Sequence, residues 1–195
     1  MERVAEIKRE TRETKVVVRL NLDNATEIDI STGIPFFDHM LHSMAFHGGL
    51  GLMIRAEGDL EVDFHHTVED VGLVLGDAFF RIFDQSGKIN RFGFAVIPMD
   101  DALSEVVVDV GGRPYLHYVA DYAQPTVGKF DISLLREFFY ALSIRARINL
   151  HINVRYGINA HHIAESIFKA LGRALRAAYT PSNSSVTGIS TKGLI

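Results

Sequence analysis

The pattern H-H-x-x-E occurs twice in this chain of 195 residues, and the repeat constrains the fold more than any other feature. Each copy is followed by apolar residues at three- and four-residue spacing, which is typical of an amphipathic helix. The first copy is His65, His66 and Glu69, and the second is His161, His162 and Glu165. We therefore expect a duplicated framework in which each motif begins a helix.

The segments upstream of the two motifs also correspond. Helical patterns at residues 34–46 and 134–144 are each followed by a strand-like run, at 50–56 and 148–154. Strand-like runs also precede these helices, at residues 15–22, 27–30, 104–110 and 116–120. Each half thus has strands, a helix, a strand and a helix, which predicts an α+β fold whose sheets are covered by helices on one face.

Chain length and composition predict the domain organisation. A half of fewer than 100 residues makes a poor core alone, so we expect residues 1–86 and 87–180 to pack as one pseudo-symmetric domain. The junction falls at residues 84–90. Residues 181–195 are rich in Ser, Thr, Gly and Asn and predict a loop or mobile tail.

Composition narrows the function classes. The chain has no cysteine, so disulfides, thiolate metal sites and a cysteine nucleophile are excluded. A net charge of −4 gives no general attraction to nucleic acid or to an anionic membrane. The charged N-terminus does not resemble a signal peptide, and no apolar run is long enough for a membrane span, so a cytoplasmic protein is expected.

The paired histidines predict two metal ions rather than one. Successive residues of a helix point about 100° apart, so adjacent histidines cannot comfortably bind the same ion. The glutamate three residues later shares a helix face with both. Imidazole and carboxylate ligands without sulfur suit Mn²⁺, Fe²⁺ or Zn²⁺, and mixed nitrogen and oxygen coordination favours Mn²⁺.

Two further groups complete the predicted ligand set. His39 occupies the place in the first half that Glu137 occupies in the second, 98 residues later. With the two motifs they give eight groups, or four for each ion. Taken alone, each fits an exposed helix residue equally well. We assign structural roles to His42, His117 and His151.

Long segments of the chain resemble the imidazoleglycerol-phosphate dehydratase family. They are ETKVVVRLNLD, GIPFFDHML, FHGG, DFHHTVEDVGLVLG, NRFGFAVIPMDDAL, VGGRPYL, LHINVRYGINAHHIAESIFKALGRALR and STKG. The resemblance implies a duplicated β-β-β-α-β-α fold of the ribosomal protein S5 domain 2-like class. It also implies homo-oligomers of 24 subunits built from trimers, with two Mn²⁺ ions in each active site at the subunit interfaces.

The resemblance assigns metal ligands residue by residue. They would be His39, His65, His66, Glu69, His161, His162 and Glu165. The eighth position, Glu137, is often histidine in the family. A carboxylate there still ligates Mn²⁺ but adds a negative charge to that ion.

The implied reaction is loss of water from imidazole glycerol phosphate to give imidazole acetol phosphate in histidine biosynthesis. The proton to be removed is not next to a carbonyl. Two ions that bind the ring as an imidazolate would stabilise the developing charge and lead to a diazafulvene-like intermediate. The family's acid–base group matches Glu13, with a metal-bound water or a ligand carboxylate, Glu69 or Glu165, as the second participant.

The resemblance also implies a substrate site. Glu13 and His47 would contact the substrate, and cationic and hydroxyl groups would hold its phosphate. The phosphate-binding positions are Arg91, Arg113, Lys169, Ser190, Thr191 and Lys192. The tail with STKG would cover the bound substrate and exclude water.

Two other functions account for part of the pattern. A dinuclear phosphohydrolase also needs His and Glu ligands beside basic residues, but it releases inorganic phosphate. A metal-storage protein or a purely structural metal-bridged assembly needs neither Glu13 nor the STKG tail.

Overall fold

Each half of the chain forms a four-stranded sheet with helices on one face. The computed structural model describes residues 2–86 and 88–182. The first half consists of β1 Val4–Glu10, β2 Thr14–Asn21, β3 Ile28–Ser31, α1 Pro35–Gly48, β4 Gly51–Gly58 and α2 His65–Gln85. The second consists of β5 Phe92–Met99, β6 Ala102–Asp109, β7 Tyr115–Val119, β8 Thr126–Val127, β9 Phe130–Asp131, α3 Leu134–Ala146, β10 Asn149–Tyr156 and α4 Ala160–Tyr179.

The two sheets have the same topology. Their strand orders are β1-β2-β4-β3 and β5-β6-β10-β7. In each sheet the third strand pairs in parallel with the fourth, and the remaining pairs are antiparallel. The predicted α+β fold with duplicated β-β-β-α-β-α halves is therefore confirmed.

Some elements were not predicted from the sequence pattern. The edge strands β1 and β5 were expected only from the family resemblance, because half of their side chains face solvent and break up the apolar run. The short hairpin β8–β9 interrupts the second half alone. Both helices that carry the repeated motif begin where expected, at His65 and Ala160.

The helices of one half pack on the helices of the other. α2 and α4 each cover their own sheet, while α1 contacts α4 and α2 contacts α3. Apolar side chains from both sheets and all four helices form one buried cluster. Neither half therefore encloses its core without the other.

Glycines bring α1 and α4 into close contact. A Cβ atom on Gly172 would lie 2.1 Å from the carbonyl oxygen of Met44, and one on Gly48 would lie 2.8 Å from that of Gly172. On α2, a Cβ on Gly76 would lie 2.7 Å from Cβ of Arg145. Only a residue without a side chain allows the α1–α4 approach.

Both short helices end in a left-handed residue. Gly49 ends α1 with φ 59° and ψ 44°, and Arg147 ends α3 with φ 53° and ψ 46°. A residue other than glycine is disfavoured there by about 1 kcal/mol. The Arg147 guanidinium lies 4.1 Å from the centre of the Phe80 ring on α2, and this cation–π contact offsets a similar amount.

Within residues 2–86 and 88–182, every helix is too short or too polar to cross a lipid bilayer.

Substituting Gly172 tests the contact between α1 and α4. Gly172→Ala should lower the free energy of unfolding by about 1–3 kcal/mol, because its new methyl group meets rigid backbone. Gly76→Ala should be milder, since a wider gap separates it from its neighbours. Denaturant unfolding of both variants measures the ranking, and a Gly172→Ala protein as stable as the wild type would contradict it.

Candidate active site

His39, His161 and Glu165 form a cluster beside the first turn of α4. Nε2 of His39 lies 3.6 Å from Oε2 of Glu165, and Nε2 of His161 lies 3.3 Å from the same oxygen. Among the described residues this is the one group of three His, Cys, Asp or Glu whose ligand atoms all lie within 4.8 Å of one another. It unites α1 of the first half with α4 of the second.

The donor set fits a divalent metal ion. Ligand atoms about 2.1 Å from an octahedral ion lie about 3 Å apart, close to the distances in this cluster. Two imidazoles and one carboxylate suit Mn²⁺, Fe²⁺ or Zn²⁺, and three protein ligands leave coordination positions open. The cluster has the composition of a catalytic metal site rather than a saturated structural one.

Glu165 is the buried member of the cluster. Burial alone would raise the pKa of its carboxyl, but Lys169 and the neighbouring His39 and His161 keep that pKa below its usual value. Nζ of Lys169 lies 2.9 Å from Oε1 of Glu165. Glu165 is therefore ionised at neutral pH and can serve as an anionic ligand.

The first motif lies beside the turn between β1 and β2. Nε2 of His65 is 3.7 Å from Oε2 of Glu69, and Nε2 of His66 is 3.9 Å from Oε2 of Glu13. Thr14, the next residue after Glu13, donates from its hydroxyl to the buried carboxylate of Asp70 on α2. This bond ties the Glu13 turn to the helix that carries the histidines.

Three carboxylates beside the motifs were not found from the sequence. Asp59 contacts Nδ1 of His66 at 3.0 Å, and Asp101 contacts Nδ1 of His162 at 2.5 Å. Asp100 lies 3.5 Å from Nε2 of His162. The Asp59 contact raises the pKa of His66, and the bond with His162 lowers the pKa of Asp101.

Among the described residues, no three-residue ligand cluster combines side chains of both motifs. The Phe130 ring packs near each motif, with its centre 5.2 Å from Phe36 and 6.4 Å from Phe64. The Phe36 ring packs in turn on His161 at 5.4 Å. Glu137, the counterpart of His39, pairs at 3.3 Å with its neighbour Arg136. Its role as a metal ligand stays a prediction, as do those of the other predicted ligands.

Two of the predicted substrate-binding residues lie near Glu165. Lys169 follows it by one helical turn, and its Nζ also contacts Sδ of Met99 at 3.2 Å. Partial desolvation of the His47 ring, followed by the charges of Lys169 and Arg173, lowers the pKa of His47 below 6.5. A positive region therefore adjoins the metal-ligand cluster on the side of Lys169.

Arg91 and Arg113 lie at the other end of the second sheet. The Arg91 side chain donates two hydrogen bonds to Asp109, with Nε 2.7 Å from Oδ1 and Nη2 3.1 Å from Oδ2. The carbonyl of Arg113 accepts a bond of 2.5 Å from Asn149, whose strand partner is Asp109. This places both arginines at the Asp109 end of β6.

The length of β6 separates these arginines from Lys169. Met99, which Lys169 contacts, pairs with Ala102 at the start of β6. The seven steps from Ala102 to Asp109 span about 23 Å at about 3.3 Å per residue. One phosphate group cannot contact Lys169 and Arg113 of the same chain.

The other residues singled out from the sequence lie apart from the cluster or outside the described part of the chain. Ser190, Thr191 and Lys192 lie outside the described residues, as does most of the predicted tail. His42 is exposed on α1. His117 and His151 are exposed on the outer face of the second sheet, with ring centres 5.4 Å apart.

Comparison with known proteins identifies the relatives of this chain. The family model described as imidazoleglycerol-phosphate dehydratase matches residues 32–175. The enzyme of that name from Limosilactobacillus fermentum is 50% identical over 194 residues, which cover 99% of this chain and 100% of the relative. The one from Azoarcus is 49% identical over the same shares of the two chains.

Solved structures of the same family have the same fold as this chain. The imidazoleglycerol-phosphate dehydratase from Staphylococcus aureus superposes with a TM-score of 0.84 at 39% identity, covering 92% of this chain and 99% of that one. The enzyme from Pyrococcus furiosus, solved in complex with (S)-C348, gives the same TM-score and identity and covers 97% and 100%.

The pKa of His47 tests the electrostatics beside the cluster. Its pKa lies below that of the unfolded chain, so the unfolded state binds more protons between the two values and acidification through that range favours unfolding. Lys169→Met should raise the pKa of His47 part of the way to 6.5, since desolvation remains. An NMR titration measures it, with Arg81→Met as control, and an unchanged pKa in Lys169→Met would contradict the assignment.

Proposed function

Because this chain belongs to the imidazoleglycerol-phosphate dehydratase family, and so catalyses the dehydration step of histidine biosynthesis, we propose that it does so with two Mn²⁺ ions bound by its repeated motifs. The observation that carries the metal dependence is the cluster of His39, His161 and Glu165.

The second ion would use the equivalent groups of the first half. His65 and Glu69 lie together on α2 as His161 and Glu165 do on α4. Glu137 would take the place of His39. His66 and His162 would be the remaining ligands, one for each ion, so that the adjacent histidines of a motif bind different ions. When bound, such ions would supply Lewis acidity to the substrate imidazole and would stabilise the charge that develops as the C–H bond breaks.

Glu13 is the proposed acid–base group. Its side chain is exposed and faces Nε2 of His66 at 3.9 Å, so its carboxylate is accessible to a substrate beside the first motif. Its backbone is held, because its carbonyl accepts from the backbone of Asp59 at 3.2 Å and its N–H donates to Thr11 Oγ1 at 3.1 Å. A fixed backbone with an exposed carboxylate suits a group that takes a proton from substrate carbon and returns it elsewhere.

The phosphate would be bound by residues of more than one copy. Lys169 lies beside the ligand cluster at one end of β6, and Arg113 lies at the other end of this strand, which is about 23 Å long, so we infer that different chains supply them to one substrate. Arg91, His47, Ser190, Thr191 and Lys192 are the other proposed substrate contacts. We place the active site at the interface of a homo-oligomer, with 24 subunits built from trimers as the proposed assembly.

Exposed apolar side chains support such an assembly. Phe92 and Phe94 on the edge strand β5 are 61% and 74% exposed, and Tyr115 and Val119 lie on the outer face of the same sheet. The strand order β5-β6-β10-β7 puts these two pairs at opposite edges of the sheet. Large exposed apolar side chains such as these are typical of surfaces that another chain covers.

Metal dependence can be tested directly with purified protein. Protein stripped of metal should convert no imidazole glycerol phosphate, and added Mn²⁺ should restore formation of imidazole acetol phosphate, followed by chromatography and mass spectrometry. Release of inorganic phosphate would favour the phosphohydrolase alternative. Full turnover by protein shown by elemental analysis to hold no metal would contradict the proposal.

Mixing inactive subunits tests whether copies share a site. Arg113→Ala and Lys169→Ala should each lose activity, and a co-assembled equal mixture should recover about a quarter of wild-type activity, because one site in four receives both intact residues from different chains.

The matched control pairs two residues of the same chain. Glu165→Gln mixed with Lys169→Ala should stay inactive, since every chain lacks one member of that adjacent pair. Recovery in the control, or no recovery with Arg113→Ala, would contradict a shared site.

A further inference from the structure

The second histidine of each motif is held by a carboxylate from outside its own helix. Nδ1 of His66 lies 3.0 Å and 3.2 Å from the two carboxylate oxygens of Asp59. Nδ1 of His162 lies 2.5 Å from Oδ1 of Asp101. An ionised carboxylate can only accept a hydrogen bond, so Nδ1 of each ring carries the hydrogen and Nε2 is the atom left to bind a ligand.

The duplication does not account for these two contacts. Strands β4 and β10 correspond with an offset of 98 residues, so the counterpart of Asp59 is Gly157, which has no side chain. Asp101 lies in the turn between β5 and β6, whereas Asp59 follows β4. The two halves thus reach the same contact from different loops.

The first histidine of each motif is placed differently. Nε2 of His65 faces Glu69, and Nε2 of His161 faces Glu165, in each case four residues later on the same helix. The two members of each pair therefore have distinct supports. The first histidine contacts a glutamate of its own helix, and the second contacts an aspartate of a loop.

The surroundings of Nε2 favour a cation there. Glu13 lies 3.9 Å from Nε2 of His66, and Asp100 lies 3.5 Å from Nε2 of His162. A neutral ring whose Nδ1 holds the hydrogen presents a lone pair at Nε2, and a lone pair facing a carboxylate is repulsive unless a cation or a proton lies between them.

We propose that Asp59 and Asp101 are positioning residues that fix the tautomer and ring direction of His66 and His162, so that each presents Nε2 to a divalent metal ion. This inference rests on the proposed function. A carboxylate behind a metal-binding imidazole keeps the ring in place and makes its free nitrogen a stronger donor.

Asp59→Ala and Asp101→Ala test the proposal in the full-length protein. Each should weaken Mn²⁺ binding about 10- to 100-fold, measured from the electron paramagnetic resonance signal of free Mn²⁺ in a titration. Solid-state ¹⁵N NMR of the metal-free, histidine-labelled protein should show one ring losing its fixed Nδ1–H tautomer. A purely structural aspartate would leave that tautomer unchanged.

Conservative variants separate the effect of ring orientation from the effect of the aspartate charge, and they perturb folding less than alanine does. Asp59→Asn and Asp101→Asn retain an oxygen that accepts from Nδ1, so they should keep the tautomer and lose less affinity than the alanine variants. Asp77→Asn is the matched control, because Asp77 lies on α2 and pairs with Arg145 rather than with a histidine. It should bind Mn²⁺ as the wild type does.

The outcomes distinguish the positioning role of the two aspartates from the proposed Mn²⁺ dependence on which it rests. A wild-type protein that binds no Mn²⁺ would overturn both. A wild type that binds Mn²⁺, with alanine variants of equal affinity and unchanged tautomers, would overturn the positioning role alone. If the alanine variants fail to fold, asparagine variants whose rings lose the Nδ1–H tautomer and still bind Mn²⁺ with full wild-type affinity overturn it instead.

Discussion

The close approach of α1 and α4 is the constraint on which the ligand cluster depends. Gly172 brings its helix so near to Met44 that no side chain fits between them. Helices usually pack with their axes 8–10 Å apart, at a distance that their side chains set. Here the glycines remove the side chains that would hold the helices apart, and His39 of the first half comes within 3.6 Å of Glu165 of the second. Packing of α1 on α4 in the core thus determines the distances between the ligand atoms of the cluster.

The duplicated framework is symmetric in its backbone and asymmetric in its chemistry. His39 and Glu137 hold equivalent places on α1 and α3, yet only the first lies in a three-residue ligand cluster among the described residues. The second histidines receive their carboxylates from different loops. Symmetry therefore supplies two similar sites, and the details that distinguish them come from residues outside the repeated helices.

The sequence predicted the fold well because its signals are local. Helical spacing located α1, α2, α3 and α4, and repetition of the motif gave the two halves. The edge strand β5 gave a weaker signal, since Phe92 and Phe94 point away from the core and its alternation resembles a surface segment. The hairpin of β8 and β9 has no counterpart in the first half, so repetition could not reveal it.

The site was predictable only in part, for a physical reason. Side chains on one helix, such as His161 and Glu165, have a spacing that fixes their proximity. Asp59 and Asp101 reach their histidines through turns whose path depends on tertiary packing, and no spacing rule encodes that. The distance between Lys169 and Arg113 follows from strand register, which became clear only once β5 and β6 were paired.

The helix end at Arg147 records how far the two halves have diverged since duplication. In the first half Gly49 adopts the left-handed conformation by itself, whereas Arg147 has its strain offset by Phe80, a residue of the other half. A second half released from the first would keep the strained residue and lose the ring that compensates it. This end of α3 is therefore supported by a ring from the other half, and the two halves are not interchangeable at this point.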